Sequence, residues 1–261
     1  MTLDMKRFVF LVVTLLMMAC CSAPKRDFAP KEFTASSGQV LPYRVIYPDN
    51  FDPLKQYPLL LFLHGAGERG SDNELQLVHG RDLFEGDPLL RDMIVVAPQC
   101  SEAGYWVRIV RPVTPDEIAG RTFPYDAGIS DDLLAVKELL DCFIALGYVD
   151  TDAIYGTGLS MGGMGVLDLM LRYPDFFAAI QPICGAANAQ RCAEYKGRTR
   201  VRFFQGLDDP VVAPHFSQED CEALGQAGVP VEYVGYPGVQ HNSWDNAFAE
   251  KDFISWFIAQ D

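Results

Sequence analysis

The chain alternates short, unbroken apolar runs with longer stretches whose apolar positions recur every three or four residues. Within residues 57–63, Leu59-Leu60-Leu61-Phe62-Leu63 carries no polar break, as expected of a strand covered on both faces. Residues 93–97 form a second such run, and 40–47, 177–183, 199–205 and 231–236 read as further strands. A strand through Asp152-Ala153-Ile154-Tyr155 leads into a glycine-rich turn. Ile129, Leu133, Leu134, Leu140, Phe143 and Ile144 share one side at helical spacing, which predicts a helix over 130–146. Ser130 or Asp131 can cap it, and Gly147 follows its end. A last helix is predicted over 244–259, packing through Phe248, Phe253, Trp256 and Phe257. Strands alternating with helices predict an α/β fold: a mostly parallel central sheet with helices on both faces, in a single domain over 40–261.

The turn after Tyr155 reads Gly156-Thr157-Gly158-Leu159-Ser160-Met161-Gly162-Gly163. Ser160 is the centre of a Gly-x-Ser-x-Gly element set between a strand and a helical run that stops at Pro174. That context is a nucleophile elbow. Glycine at 158 and 162 removes the Cβ atoms that would crowd so tight a turn. A dinucleotide-binding turn is excluded, because Met161 stands where the third glycine of Gly-x-Gly-x-x-Gly belongs.

Sites in such sheets form at the carboxyl ends of strands. Here those ends carry His64-Gly65-Ala66-Gly67, Ser160, Asp208-Asp209 and His241. A serine hydroxyl needs an adjacent base to attack at neutral pH. Partners of an elbow serine follow it in the order acid, then histidine. His64 and His79 precede Ser160, and His215 lies only six residues past Asp209, so His241 is the expected base. Asp208 and Asp209 compete as the acid that orients it. The backbone N–H of Met161 and that of Ala66, with Gly65 as the alternative, are the expected oxyanion donors. His64 is expected to brace its loop. Glu68 and Arg69 read as an ion pair. Gln99, Tyr105, Trp106 and Trp244 are candidates to line a substrate pocket. Residues 101–128 are irregular and have the length of a functional lid.

Composition narrows the partners. The 261 residues carry 21 Lys and Arg against 35 Asp and Glu, a net charge of −14. So acidic a chain argues against nucleic acid and against attraction to anionic lipid. No metal, flavin, nicotinamide or phosphate motif is present, so no cofactor is expected. Among the seven cysteines there is no Cys-x-x-Cys, and Cys184 with Cys192 is the one close pair past the leader. Lys6 and Arg7 precede an apolar run over 8–19, the pattern of a secretory signal over 1–19. It is shorter than the roughly 20 residues of a membrane-spanning helix. Cys20 after Ala19 resembles the acylated cysteine of a bacterial lipoprotein, with Leu16 one position further upstream than usual. That likeness implies export, lipidation at Cys20, a tether and start of the mature chain over 20–39, and a place in the cell envelope.

Taken together, Leu63-His64-Gly65-Ala66-Gly67-Glu68-Arg69-Gly70, Ala97-Pro98-Gln99-Cys100, Gly158-Leu159-Ser160-Met161-Gly162-Gly163, Pro182-Ile183-Cys184-Gly185, Asp209-Pro210-Val211-Val212 and His241-Asn242-Ser243-Trp244 resemble the carboxylesterase/dienelactone-hydrolase-like branch of the α/β hydrolases. That branch lies near the feruloyl esterases and the prolyl-oligopeptidase-like hydrolases. The resemblance runs from about Val40 to the C-terminus. It implies Ser160, Asp209 and His241 as a triad, and a serine carboxylesterase acting through an acyl-enzyme on small or polysaccharide-linked esters. Gln205 departs from the histidine often found before that family's Gly-x-x-Asp. A prolyl-oligopeptidase-type peptidase and a non-catalytic binding protein on the same fold are the alternatives. The first usually carries a gating domain absent here, and the second predicts a broken triad.

Overall fold

The computed structural model describes residues 26–110 and 123–259. The expected leader, Cys20 and the middle of the irregular stretch lie outside the described residues. The strands are β1 (Ala29–Thr34), β2 (Val40–Ile46), β3 (Tyr57–Leu63), β4 (Ile94–Pro98), β5 (Val149–Leu159), β6 (Ala179–Ile183), β7 (Arg200–Gly206) and β8 (Val231–Tyr236). The helices are α1 (Arg81–Gly86), α2 (Asp131–Ala145), α3 (Met161–Arg172), α4 (Ala189–Glu194), α5 (Pro214–Gln226), α6 (Trp244–Ala249) and α7 (Ser255–Ile258).

All eight strands join one sheet in the order β1-β2-β4-β3-β5-β6-β7-β8. β1 and β2 form an antiparallel edge, and from β4 onward neighbours run parallel. The apolar run in β3 explains why the sheet is central. Leu59, Leu61 and Leu63 face a core shared with α2 and α3, while Leu60 and Phe62 face the opposite core with Phe84 and Phe257. Side chains alternate across a strand, so only a strand sandwiched between helices wants apolar residues at every position.

α2 begins where its cap residue predicts. Ser130 accepts a bond from the Leu133 N–H, and Gly147 follows the helix at φ +84°. Two features depart from expectation. β1 occupies part of the stretch read as a tether, pairing Ala29 through Thr34 with β2. The closing helix is two short ones, because Glu250 adopts an extended backbone and accepts a bond from the Tyr236 hydroxyl. The break lets Phe253 pack on Phe204 and Phe248. The five described cysteines are all free, including Cys184 and Cys192. Among the described residues, no helix is long and apolar enough to cross a membrane.

Cys192 donates its thiol instead to Asp220, a buried carboxyl that also accepts the Ala187 N–H. Burial pushes the Asp220 carboxyl up to about 7, against the pull of those two bonds. The folded chain therefore holds a proton at Asp220 that the unfolded chain releases near pH 4. Its stabilising contribution is present at acid pH and is lost as pH rises toward 7, by at most about 4 kcal/mol. Urea unfolding at pH 5 and pH 8 should show Asp220→Asn losing markedly less stability between the two than the parent.

Candidate active site

Ser160 sits between β5 and α3 with φ +52° and ψ −115°, a conformation L-residues rarely adopt. Close packing of backbone holds it there. A Cβ on Gly162 would lie 1.9 Å from the Leu63 carbonyl oxygen, and one on Gly158 would lie 2.6 Å from the Gly162 carbonyl. The Ser160 N–H donates to the Ile183 carbonyl at 2.8 Å, fixing the turn to β6. The hydroxyl is thus raised at the carboxyl edge of the sheet, with α3 beginning directly behind it.

His241 arrives on the loop after β8. Its Nε2 lies 2.9 Å from Ser160 Oγ and its Nδ1 lies 2.8 Å from Asp209 Oδ2. Asp209, not Asp208, faces the ring. Its side chain has no exposed surface. It accepts four bonds there: Val211 and Val212 N–H on Oδ1, and Gln205 Nε2 and the His241 ring on Oδ2. An acceptor-only carboxylate on Nδ1 fixes the proton there and leaves the Nε2 lone pair toward the serine. Trp244 packs edge-on against the same ring at 5.5 Å.

Gln205 explains the departure from the family pattern. Its amide also reaches the carbonyls of Gly206 and Val212, and its oxygen accepts the Ser217 hydroxyl. A polar residue directly after Phe203-Phe204, at the carboxyl end of β7, was the sequence signal for this role. Gln205→Leu should lower kcat/KM by about 10–100-fold with KM little changed, since it removes one bond to a buried charge. Steady-state kinetics on an activated ester checks this.

The loop after β3 supplies the opposite wall. Leu63 pairs with Gly158 across adjacent parallel strands, which sets the loop at 64–70 beside Ser160. Ala66 opens a 3-10 turn over Ala66–Glu68, and Met161 opens α3. First-turn N–H groups have no acceptor within their own helix and remain available for an anion. His64 braces this loop. Its Nδ1–H donates to the Gly65 carbonyl, and its Nε2 accepts the Cys100 N–H. Burial lowers the ring to about 4, so it stays neutral.

Several expected pocket residues serve the same loop. Gln99 has no exposed surface; it accepts the Asn73 N–H and donates to the Glu68 carbonyl and the Asp72 carboxylate. Trp106 is also fully buried, donating its indole N–H to the His64 carbonyl. Both are braces rather than pocket walls, because neither presents surface to a substrate. Arg69 binds the carbonyls of Ala66 and Gly104 rather than Glu68, and Glu68 lies 3.7 Å from His79. Tyr105 and Trp244 are the partly exposed pair, and Tyr105 lines an open cleft with Arg69 and Arg108. His215 packs on Phe216, away from this cluster.

No family model matches the chain. A probable carboxylesterase of Oryza sativa subsp. japonica is 26% identical over 201 residues, covering 72% of this chain and 83% of its own. The crystal structure of a thermostable esterase superposes with a TM-score of 0.74 at 31% identity, over 89% of this chain and 62% of that one. The chain therefore spans less than two thirds of that esterase. A ferulic acid esterase from Anaeromyces mucronatus shares the fold at a TM-score of 0.64 and 16% identity, covering 89% of this chain and 90% of its own. The chain thus has the α/β-hydrolase fold and is similar to proteins named carboxylesterase and esterase, likenesses that support a serine hydrolase of ester bonds.

Proposed function

We propose that Ser160, His241 and Asp209 form the catalytic triad of this esterase. The observation that carries the reading is the unbroken path from Ser160 Oγ through both ring nitrogens of His241 to a fully buried carboxylate. As Ser160 Oγ attacks the ester carbonyl, His241 Nε2 takes its proton. The imidazolium so formed is stabilised by Asp209. The N–H groups of Met161 and Ala66 receive the oxyanion, each worth about 3 kcal/mol of barrier. Nε2 then returns the proton to the leaving alcohol, and water attacks the acyl-enzyme by the same relay.

The substrates are exogenous carboxylic esters, small or linked to polysaccharide, including acyl or feruloyl esters. The shared fold of a ferulic acid esterase and the partly exposed aromatic rings of Tyr105 and Trp244 favour an aromatic ester. Export and acylation at Cys20 are part of the same proposal and rest on the leader pattern. The test is kcat/KM across p-nitrophenyl acetate, longer p-nitrophenyl esters, methyl ferulate and a prolyl-peptide anilide. Ester turnover at least about 100-fold above the anilide is expected. Preference for the anilide would replace this reading with a peptidase.

A further inference from the structure

Beneath the triad lies a thiol that the ester chemistry does not use. Cys184 directly follows β6 with φ +39° and is fully buried. Single donor atoms of Cys184, Asp209 and His241 all lie within 4.8 Å of one another. Beside them Ser243 is fully buried, and its hydroxyl has no hydrogen-bond partner. Burial and the Asp209 carboxylate push the Cys184 thiol well above its ordinary value, against a weaker pull from the Ser160 backbone and the Ser243 hydroxyl. One thiol, one imidazole and one carboxylate are the donor types that zinc accepts together.

We infer that Cys184, Asp209 and His241 form an inhibitory zinc site, one that takes the triad apart when filled. The inference rests on the triad reading for its effect on turnover, but not for the binding itself. Zinc bonds of about 2.0–2.3 Å in a tetrahedron hold donors about 3.5 Å apart, so His241 Nδ1 and Asp209 Oδ2, now 2.8 Å apart, open by a fraction of an ångström to admit the ion beside Cys184. The ion enters past His241, whose side chain is 21% exposed. Charge and protons balance. The Cys184 thiol releases its proton to solvent, and one thiolate with one carboxylate neutralises the divalent ion. Nδ1 gives its lone pair to zinc, so the neutral ring carries its single proton on Nε2. That nitrogen then has no lone pair for the Ser160 proton, and attack stops.

The test compares zinc inhibition of p-nitrophenyl acetate hydrolysis in the parent, Cys184→Ala and Cys184→Ser, each relative to its own zinc-free rate. The zinc concentration for half-inhibition should rise by about tenfold or more in both variants, and a chelator should restore the parent. Equal half-inhibition in all three, or a parent that zinc leaves untouched, overturns the site. Ser243→Ala, which keeps all three ligands, serves if neither cysteine variant folds; it should also raise the half-inhibition concentration, and an unchanged value overturns the site. Calorimetric zinc titration of the parent and Cys184→Ala reads the site without turnover. Single-site binding lost in the variant supports it even if the parent proves inactive on esters, and binding unchanged overturns it.

Discussion

Replacing His241 by alanine should lower kcat/KM for esters by on the order of 10⁴-fold or more, while His215→Ala should stay within about twofold. The contrast comes from place, not residue type. His241 touches both Ser160 and Asp209, whereas His215 stacks on Phe216 along α5. Without the imidazole, the Ser160 hydroxyl has no adjacent base, and at neutral pH almost none of it is alkoxide. The residual rate comes from the backbone donors and from binding. Steady-state kinetics on p-nitrophenyl acetate separates the two variants, and comparable losses from both would remove His241 as the base.

Gly162→Ala should destabilise the fold by about 3 kcal/mol or more and disable the elbow as well. The added methyl would meet the Leu63 carbonyl oxygen at 1.9 Å, its carbon at 2.5 Å and the His64 oxygen at 2.8 Å. All three are backbone atoms of β3 and the loop beyond it, so no side chain can swing aside. The clash must push α3 away from that loop, separating the Met161 and Ala66 N–H groups proposed to receive the oxyanion. A fall in Tm of roughly 6–12 °C with a larger loss of kcat is expected. Gly67→Ala is the control, since a Cβ there meets nothing within 4 Å. Thermal melts of both variants decide the point; a Gly162→Ala protein as stable as the parent would mean that the contact between elbow and loop is looser than described.

Much of this molecule was legible in its sequence because each signal was local. An unbroken apolar run marks β3 as central, and a serine between glycines at a strand-to-helix turn marks the elbow. The order of the histidines then leaves His241. What escaped depended on three-dimensional neighbours. α5 is rich in polar and charged residues, so its core contacts through Leu224 leave a faint periodic trace. The edge strand β1 takes its order from pairing with β2, and isolated it resembles a polar tether. Gln99 and Trp106 follow a strand end, where pocket residues are common. Only burial reveals that they hold the loop after β3 from behind. Gln205 looked like a loss relative to the family, yet its amide gives Asp209 a donor from within the strand.

The most direct measurement is covalent labelling of the purified protein with a fluorophosphonate, located by peptide mass spectrometry. The expected result is a single adduct on Ser160, formed in step with loss of ester turnover and absent from Ser160→Ala and His241→Ala. An adduct on another residue, or unimpaired turnover by Ser160→Ala, would contradict the assignment of this hydroxyl as the nucleophile.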